Sequence, residues 1–169
     1  MAQTTYKDLL DAGAHFGHLT RKWDPKMAPY IFMEKNGIHI IDLNKTLVSL
    51  DYAATAIRNI AKSGRKIMFV ATKKQAQEIV TTEAERLKMP FVTDRWLGGM
   101  LTNFATVRKS LKKMATIDKM VKENTAYAAL AKREKLMMSR ERAKLDRVLG
   151  GIADLGRLPA ALFIVDVKR

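Results

Sequence analysis

The 169 residues include no cysteine. That removes disulfides, thiolate zinc sites and cysteine nucleophiles together. Acidic residues are scarce beside basic ones, 17 Asp and Glu against 31 Lys and Arg, which leaves a net charge of +14. An excess of that size favours a polyanionic partner, because each neutralised phosphate releases condensed counterions. No apolar run is long enough to cross a bilayer, and no polybasic amphipathic segment rich in Trp or Phe is there to lie on one. The amino end lacks the basic-then-apolar layout of a signal peptide, so a cytosolic protein is expected. Neither the Gly-x-Gly-x-x-Gly fingerprint nor the Gly-x-x-x-x-Gly-Lys loop occurs, which weakens a nucleotide-pocket reading.

The basic residues are unevenly placed. Residues 104–148 hold 13 Lys and Arg against 5 Asp and Glu, whereas residues 1–103 hold 15 against 10. The same segment has no Pro or Gly. Val107, Leu111, Met114, Ile117 and Val121 recur there at three- and four-residue steps. After a polar break at Glu123-Asn124-Thr125, Tyr127, Leu130, Met137, Met138, Leu145 and Val148 repeat the pattern. Two such stripes predict an antiparallel hairpin of coiled-coil type over 104–149, with the stripes as the seam between its arms. Cations including Arg108, Lys109, Lys112 and Lys113 fall outside the stripe. A solvated face is the ordinary reading of such charges, but a helix stabilised by side-chain pairs alone would balance its signs. The imbalance points to an arm presented to a polyanion.

Around this insertion the pattern is α/β. A short helix is predicted over Tyr6 to Ala14, capped by Thr4 or Thr5, with Leu9 and Leu10 inward. Tyr30 to Met33 and Ile38 to Ile41, joined through Asn36-Gly37, predict a β-hairpin. A helix follows from Lys45 to Ser63, with Leu47, Leu50, Ala54 and Ile57 at helical spacing. Lys66 to Ala71 is an apolar run expected of a buried parallel strand. It leads into a helix to about Lys88, where Thr72 and Gln75 have the spacing of a capping box. Met89 to Thr93 is a second strand, completing a βαβ unit, and Ala160 to Val165 a third, buried one. The expected organisation is a first α/β part with an RNA-facing amino-terminal segment (1–103), the hairpin (104–149), and a return to the α/β domain (150–169).

Three stretches carry candidate chemistry. Residues 15–27 interleave Arg21, Lys22 and Lys26 with Phe16 and Trp23, an arrangement suited to phosphates and exposed bases. An ordered loop with plugging aromatics and solvated cations fits the same residues. His15 and His18 lack the further ligands zinc takes, and hydrogen-bonded histidines are expected instead. Arg95-Trp96-Leu97-Gly98-Gly99 offers a planar cationic fork beside two glycines that allow close backbone approach. Thr72-Lys73-Lys74 closes a strand at a helix amino terminus, where a phosphate can bind. That stretch supports the alternative reading, a phosphate- or nucleotide-binding α/β enzyme. No paired acid and base stands near it, so no enzymatic activity, cofactor or metal is expected.

Three long stretches together closely resemble the bacterial branch of the small-subunit ribosomal protein two family. They are H-F-G-H-L-T-R-K-W-D-P-K-M-A-P-Y-I at 15–31, D-R-W-L-G-G-M-L-T-N at 94–103 and L-G-G-I-A-D-L-G-R-L-P at 149–159. The resemblance implies a three-layer, flavodoxin-like (Rossmann-like) parallel sheet with an inserted antiparallel coiled-coil hairpin. It implies a cytoplasmic place on the small ribosomal subunit near the junction of head and body. The partners implied are 16S ribosomal RNA and neighbouring small-subunit proteins, including ribosomal protein one, with no membrane and no small-molecule substrate. Arg21, Lys22, Lys26, Arg95, Arg108, Lys109, Lys112 and Lys113 are the expected RNA-binding residues, with Trp23 and Trp96 bracing the backbone. Asp24 stands where members often have Asn. Members also continue with a helix and strands beyond Asp166, so a carboxy-terminally truncated chain is expected.

Overall fold

The computed structural model describes residues 4–123 and 125–167. Asn124, in the expected hairpin turn, and Lys168 and Arg169 lie outside the described residues. The chain forms two compact units, residues 1–59 and 60–169.

The first unit holds an antiparallel sheet in the order β1-β3-β2. It comprises helix α1 (Tyr6–Asp11), β1 (Phe16–Leu19), a 3-10 helix (Pro25–Tyr30), β2 (Ile31–Lys35), β3 (Ile38–Ile41) and the start of helix α2 (Leu43–Lys62). Asn36 and Gly37 have φ of 52° and 72°, the left-handed pair that a tight hairpin turn demands. Thr5 caps α1: its hydroxyl accepts from the Asp8 N–H at 3.2 Å, and the Asp8 carboxylate accepts from the Thr5 N–H at 2.8 Å. The helix stops at Asp11, short of Ala14, and Leu10 is exposed. Six residues give a helix too short to bury an apolar stripe. In α2 the expected inward stripe also fails, since Leu50 and Ala54 are exposed and Leu43 alone among its residues is buried.

The sequence gives no sign of β1. It pairs antiparallel with β3, with a register shift between Phe16 and Leu19. An edge strand with three of its four residues exposed has no need of apolar alternation, which is the signal a strand ordinarily leaves.

The second unit is built on a parallel sheet in the order β5-β4-β6. Its elements are β4 (Ile67–Val70), α3 (Lys74–Arg86), β5 (Phe91–Val92), α4 (Phe104–Glu123), α5 (Thr125–Ala129), α6 (Lys132–Leu149), a 3-10 turn (Gly150–Ile152) and β6 (Ala161–Ile164). The architecture is therefore α/β, as the sequence pattern predicts. β4 is the central strand, registered Phe69 to Phe91 on one side and Phe69 to Phe163 on the other. Met68, Val70 and Val92 join Met100, Val107, Leu111, Met114, Leu149, Ile152 and Leu155 in one buried cluster. At about 25 cal/mol per Å² of apolar surface, a shared cluster of this kind fixes the base of α4 and α6 against the sheet.

Two expectations are corrected here. The helix after β4 begins at Lys74 with Lys73 as its cap residue and no side-chain cap, so Thr72 and Gln75 form no capping box. Thr72 sits one residue too early for its hydroxyl to reach a first-turn N–H. β6 is in place, but Leu162, Phe163 and Ile164 are exposed rather than buried. Among the described residues β6 is an edge strand, paired with β4 alone.

Candidate nucleic-acid interface

Arg21, Lys22 and Lys26 belong to the first unit and are exposed. Arg21 and Lys22 occupy the connection between β1 and the 3-10 helix, and Lys26 lies in the first turn of that helix. Thr20 anchors one end of the connection, its N–H and hydroxyl both donating to the Gly37 carbonyl at 3.0 and 3.3 Å. Asp24 anchors the other by accepting from the Lys26 N–H at 3.0 Å. Trp23 between them is half-buried, its ring edge-on to His39 with centroids 4.8 Å apart. It braces the connection while the three cations project into solvent. His15 is half-buried with its Nδ1 enclosed and without a hydrogen-bond partner among the described residues, against the expectation of a hydrogen-bonded histidine, whereas His18 in β1 is exposed. Among the described residues no three His, Asp or Glu side chains are grouped as a metal ion requires.

The remaining candidates belong to the second unit. Gly99 takes φ of 79°, turning the chain from β5 toward α4, whereas a Cβ at Gly98 would meet open space. Met100, beyond this turn, is buried, and Trp96 packs on the core cluster. Arg95 is exposed and lines a crevice of about 500 Å³ with Thr72, Lys74, Gln77, Asp94 and Trp96.

On α4 the apolar residues Val107, Leu111, Met114 and Ile117 are buried. Helical geometry then turns Arg108, Lys109, Lys112 and Lys113 outward, and all four are exposed. Their ionic surroundings differ. Lys113 pairs with Glu141 of α6. Arg108, Lys109 and Lys112 have no acidic partner among the described residues. Arg142 of α6 makes a second crosslink, 3.0 Å from Asp118 on α4 and 3.0 Å from Asp146 one turn along. Asp118 foremost, and Asp146 with it, pushes the guanidinium pKa further above its ordinary value. Arg147 is held in turn by Asp94 at 3.0 Å.

The expected seam does not run the length of α4 and α6. Val121 and Met137 are exposed, and Leu149 is the buried residue of α6. A pair of packed helices encloses less of an apolar stripe than a helix seated on a sheet does.

A protein-family comparison matches residues 9–169 to the family described as ribosomal protein S2. The chain belongs to that family. It is 73% identical over 164 residues to the small ribosomal subunit protein uS2 of Cytophaga hutchinsonii, covering 97% of this chain and 64% of that one. It is 62% identical over 169 residues to the uS2 of Bacteroides thetaiotaomicron, covering 100% of this chain and 60% of the relative. With the uS2 of Flavobacterium johnsoniae it shares 61% identity over 162 residues, 96% of this chain and 63% of that protein. The chain thus spans about three-fifths of the length of these curated relatives. Family membership and the exposed cations were both legible in the sequence. The pairing of Lys113 with Glu141 was not, because nothing in the spacing of two helices fixes which residues face each other across them.

Proposed function

We propose that this chain is part of a structural, non-enzymatic component of the small ribosomal subunit in the cytoplasm. In this reading it binds 16S ribosomal RNA through basic surfaces and, with neighbouring subunit proteins, helps hold ribosomal protein one. The observation that carries the reading is family membership along residues 9–169, with relatives named as small-subunit proteins. The arrangement of charge supports it. Arg21 and Lys22 on a braced connection, Lys26 in the 3-10 helix that follows it, Arg95 beside Trp96, and Arg108, Lys109 and Lys112 on a helix anchored in the core offer cations in fixed places. Such positions track phosphates without reading base sequence. Lys113 has its own acid and serves the hairpin first.

The test is sedimentation of the tagged chain with small subunits at low and then high salt. Reversing Arg108, Lys109 and Lys112 together to Glu is expected to weaken association at least about tenfold at low salt, as lost phosphate contacts do. Thermal unfolding is expected to stay unchanged. Association equal to that of the unaltered chain would remove α4 from the interface. No observation favours the enzyme reading of Thr72-Lys73-Lys74, since Thr72 makes no cap and Lys73 is engaged by Asp166 at 3.1 Å.

A further inference from the structure

The crevice beside Arg95 lies outside the carboxyl ends of β4 and β5, where open parallel sheets hold ligands. Its walls are pinned. Gln77 of α3 donates its side-chain amide to the Thr93 carbonyl at 2.5 Å and reaches the Thr72 carbonyl at 3.4 Å, tying together the ends of the two strands. Its charge is also sorted. Asp94, the one acid on its lining, is engaged by Arg147 at 3.0 Å, and Lys73, next to Lys74 in the chain, is engaged by Asp166 at 3.1 Å. Lys74 and Arg95, which line the crevice, are left without an acidic or carbonyl side-chain partner among the described residues. Trp96 adds a half-buried ring to the same wall.

A space of about 500 Å³ with two unspent cations and an aromatic wall suits a phosphate carrying an organic group. We propose that this crevice seats one nucleotide phosphate between Lys74 and Arg95, with its sugar or base against Trp96. The proposal rests on the RNA-binding reading and takes a phosphodiester of single-stranded RNA as the source. The absence of a glycine-rich loop favours a backbone phosphate over the polyphosphate of a free nucleotide.

The experiment uses the full chain and a Lys74→Gln/Arg95→Gln variant, whose changes lie on exposed side chains away from the core. Each is titrated with a short oligouridine across a salt series and, separately, with uridine monophosphate followed by phosphorus NMR. The variant is expected to bind oligouridine about tenfold more weakly at low salt, with the slope of log K against log salt shallower by about 0.7 per lost contact. Saturable broadening of the uridine monophosphate signal, lost in the variant, supports the same crevice with a free nucleotide as the source. Oligouridine affinity and slope equal to those of the unaltered chain, without nucleotide broadening in either protein, would overturn the proposal. The α4 triple reversal, run alongside, separates the two readings. If it weakens oligouridine binding while the crevice variant does not, the crevice is wrong and RNA binding stands. If neither changes binding, both readings fall.

Discussion

Gly151 is held by contact rather than by backbone freedom. A Cβ there would collide with the Phe91 carbonyl oxygen and lie 2.7 Å from its ring. The close approach seats the 3-10 turn after α6 on β5 and so positions the end of α6. Gly151→Ala is expected to destabilise the protein by about 1–3 kcal/mol, the range for overpacking, read as a lower thermal midpoint. Asp8 is a residue-scale case of charge. The Thr5 N–H first, and its hydroxyl second, hold the Asp8 carboxyl below the ordinary aspartate range. A lowered folded value means that the cap contributes fully above the unfolded value and loses its contribution as pH falls through the folded one. The Asp8 carboxyl is therefore expected to titrate in NMR below a free aspartate, and Asp8→Asn to abolish the accompanying pH dependence of the α1 amides. An ordinary midpoint for Asp8 would contradict the cap.

At the scale of the element, α4 divides along its length. Leu111 is 7% exposed and sits in the central cluster, while Val121 near the other end is 47% exposed. Leu111→Ala is expected to cost about 2–5 kcal/mol in denaturant unfolding, and Val121→Ala about 0.5 kcal/mol or less. Equal costs would mean that the arm is packed evenly to its tip. The regular three- and four-residue steps between the five stripe residues made this difference invisible in sequence. Periodicity reports which side of a helix is apolar, not where its neighbours end. The same limit explains β6 and α2. An apolar run such as Ala160 to Val165 shows what could be covered, and only the surrounding elements decide whether it is.

At the scale of the molecule, the two units are unequally packed. Among the described residues of 1–59, Leu43 is the one buried hydrophobic; the rest of the buried core belongs to 60–169. Sparse apolar burial lowers the free energy of local opening. Backbone amides of β2 and β3 are therefore expected to exchange with solvent faster than those of β4 under native conditions. Equal protection in a hydrogen-exchange experiment would show the first unit to be as stable as the second. This unit also carries Arg21, Lys22 and Lys26, so the RNA-binding reading gives it a partner whose contacts would add to its own.

The sequence by itself determined the α/β class, the hairpin turn at Asn36-Gly37, the parallel strands β4 and β5, the long basic helices and the family. Each leaves a local mark: a period, a turn dipeptide, a charge excess or a long motif. Only the tertiary structure decided that Phe16 to Leu19 is a strand, that Thr72 caps nothing, and that Lys113 is paired while Lys112 is not. It also brought Lys74 and Arg95, twenty-one positions apart, to one crevice. Those outcomes depend on which surfaces meet, and side chains distant in the chain acquire partners only when the fold brings them together.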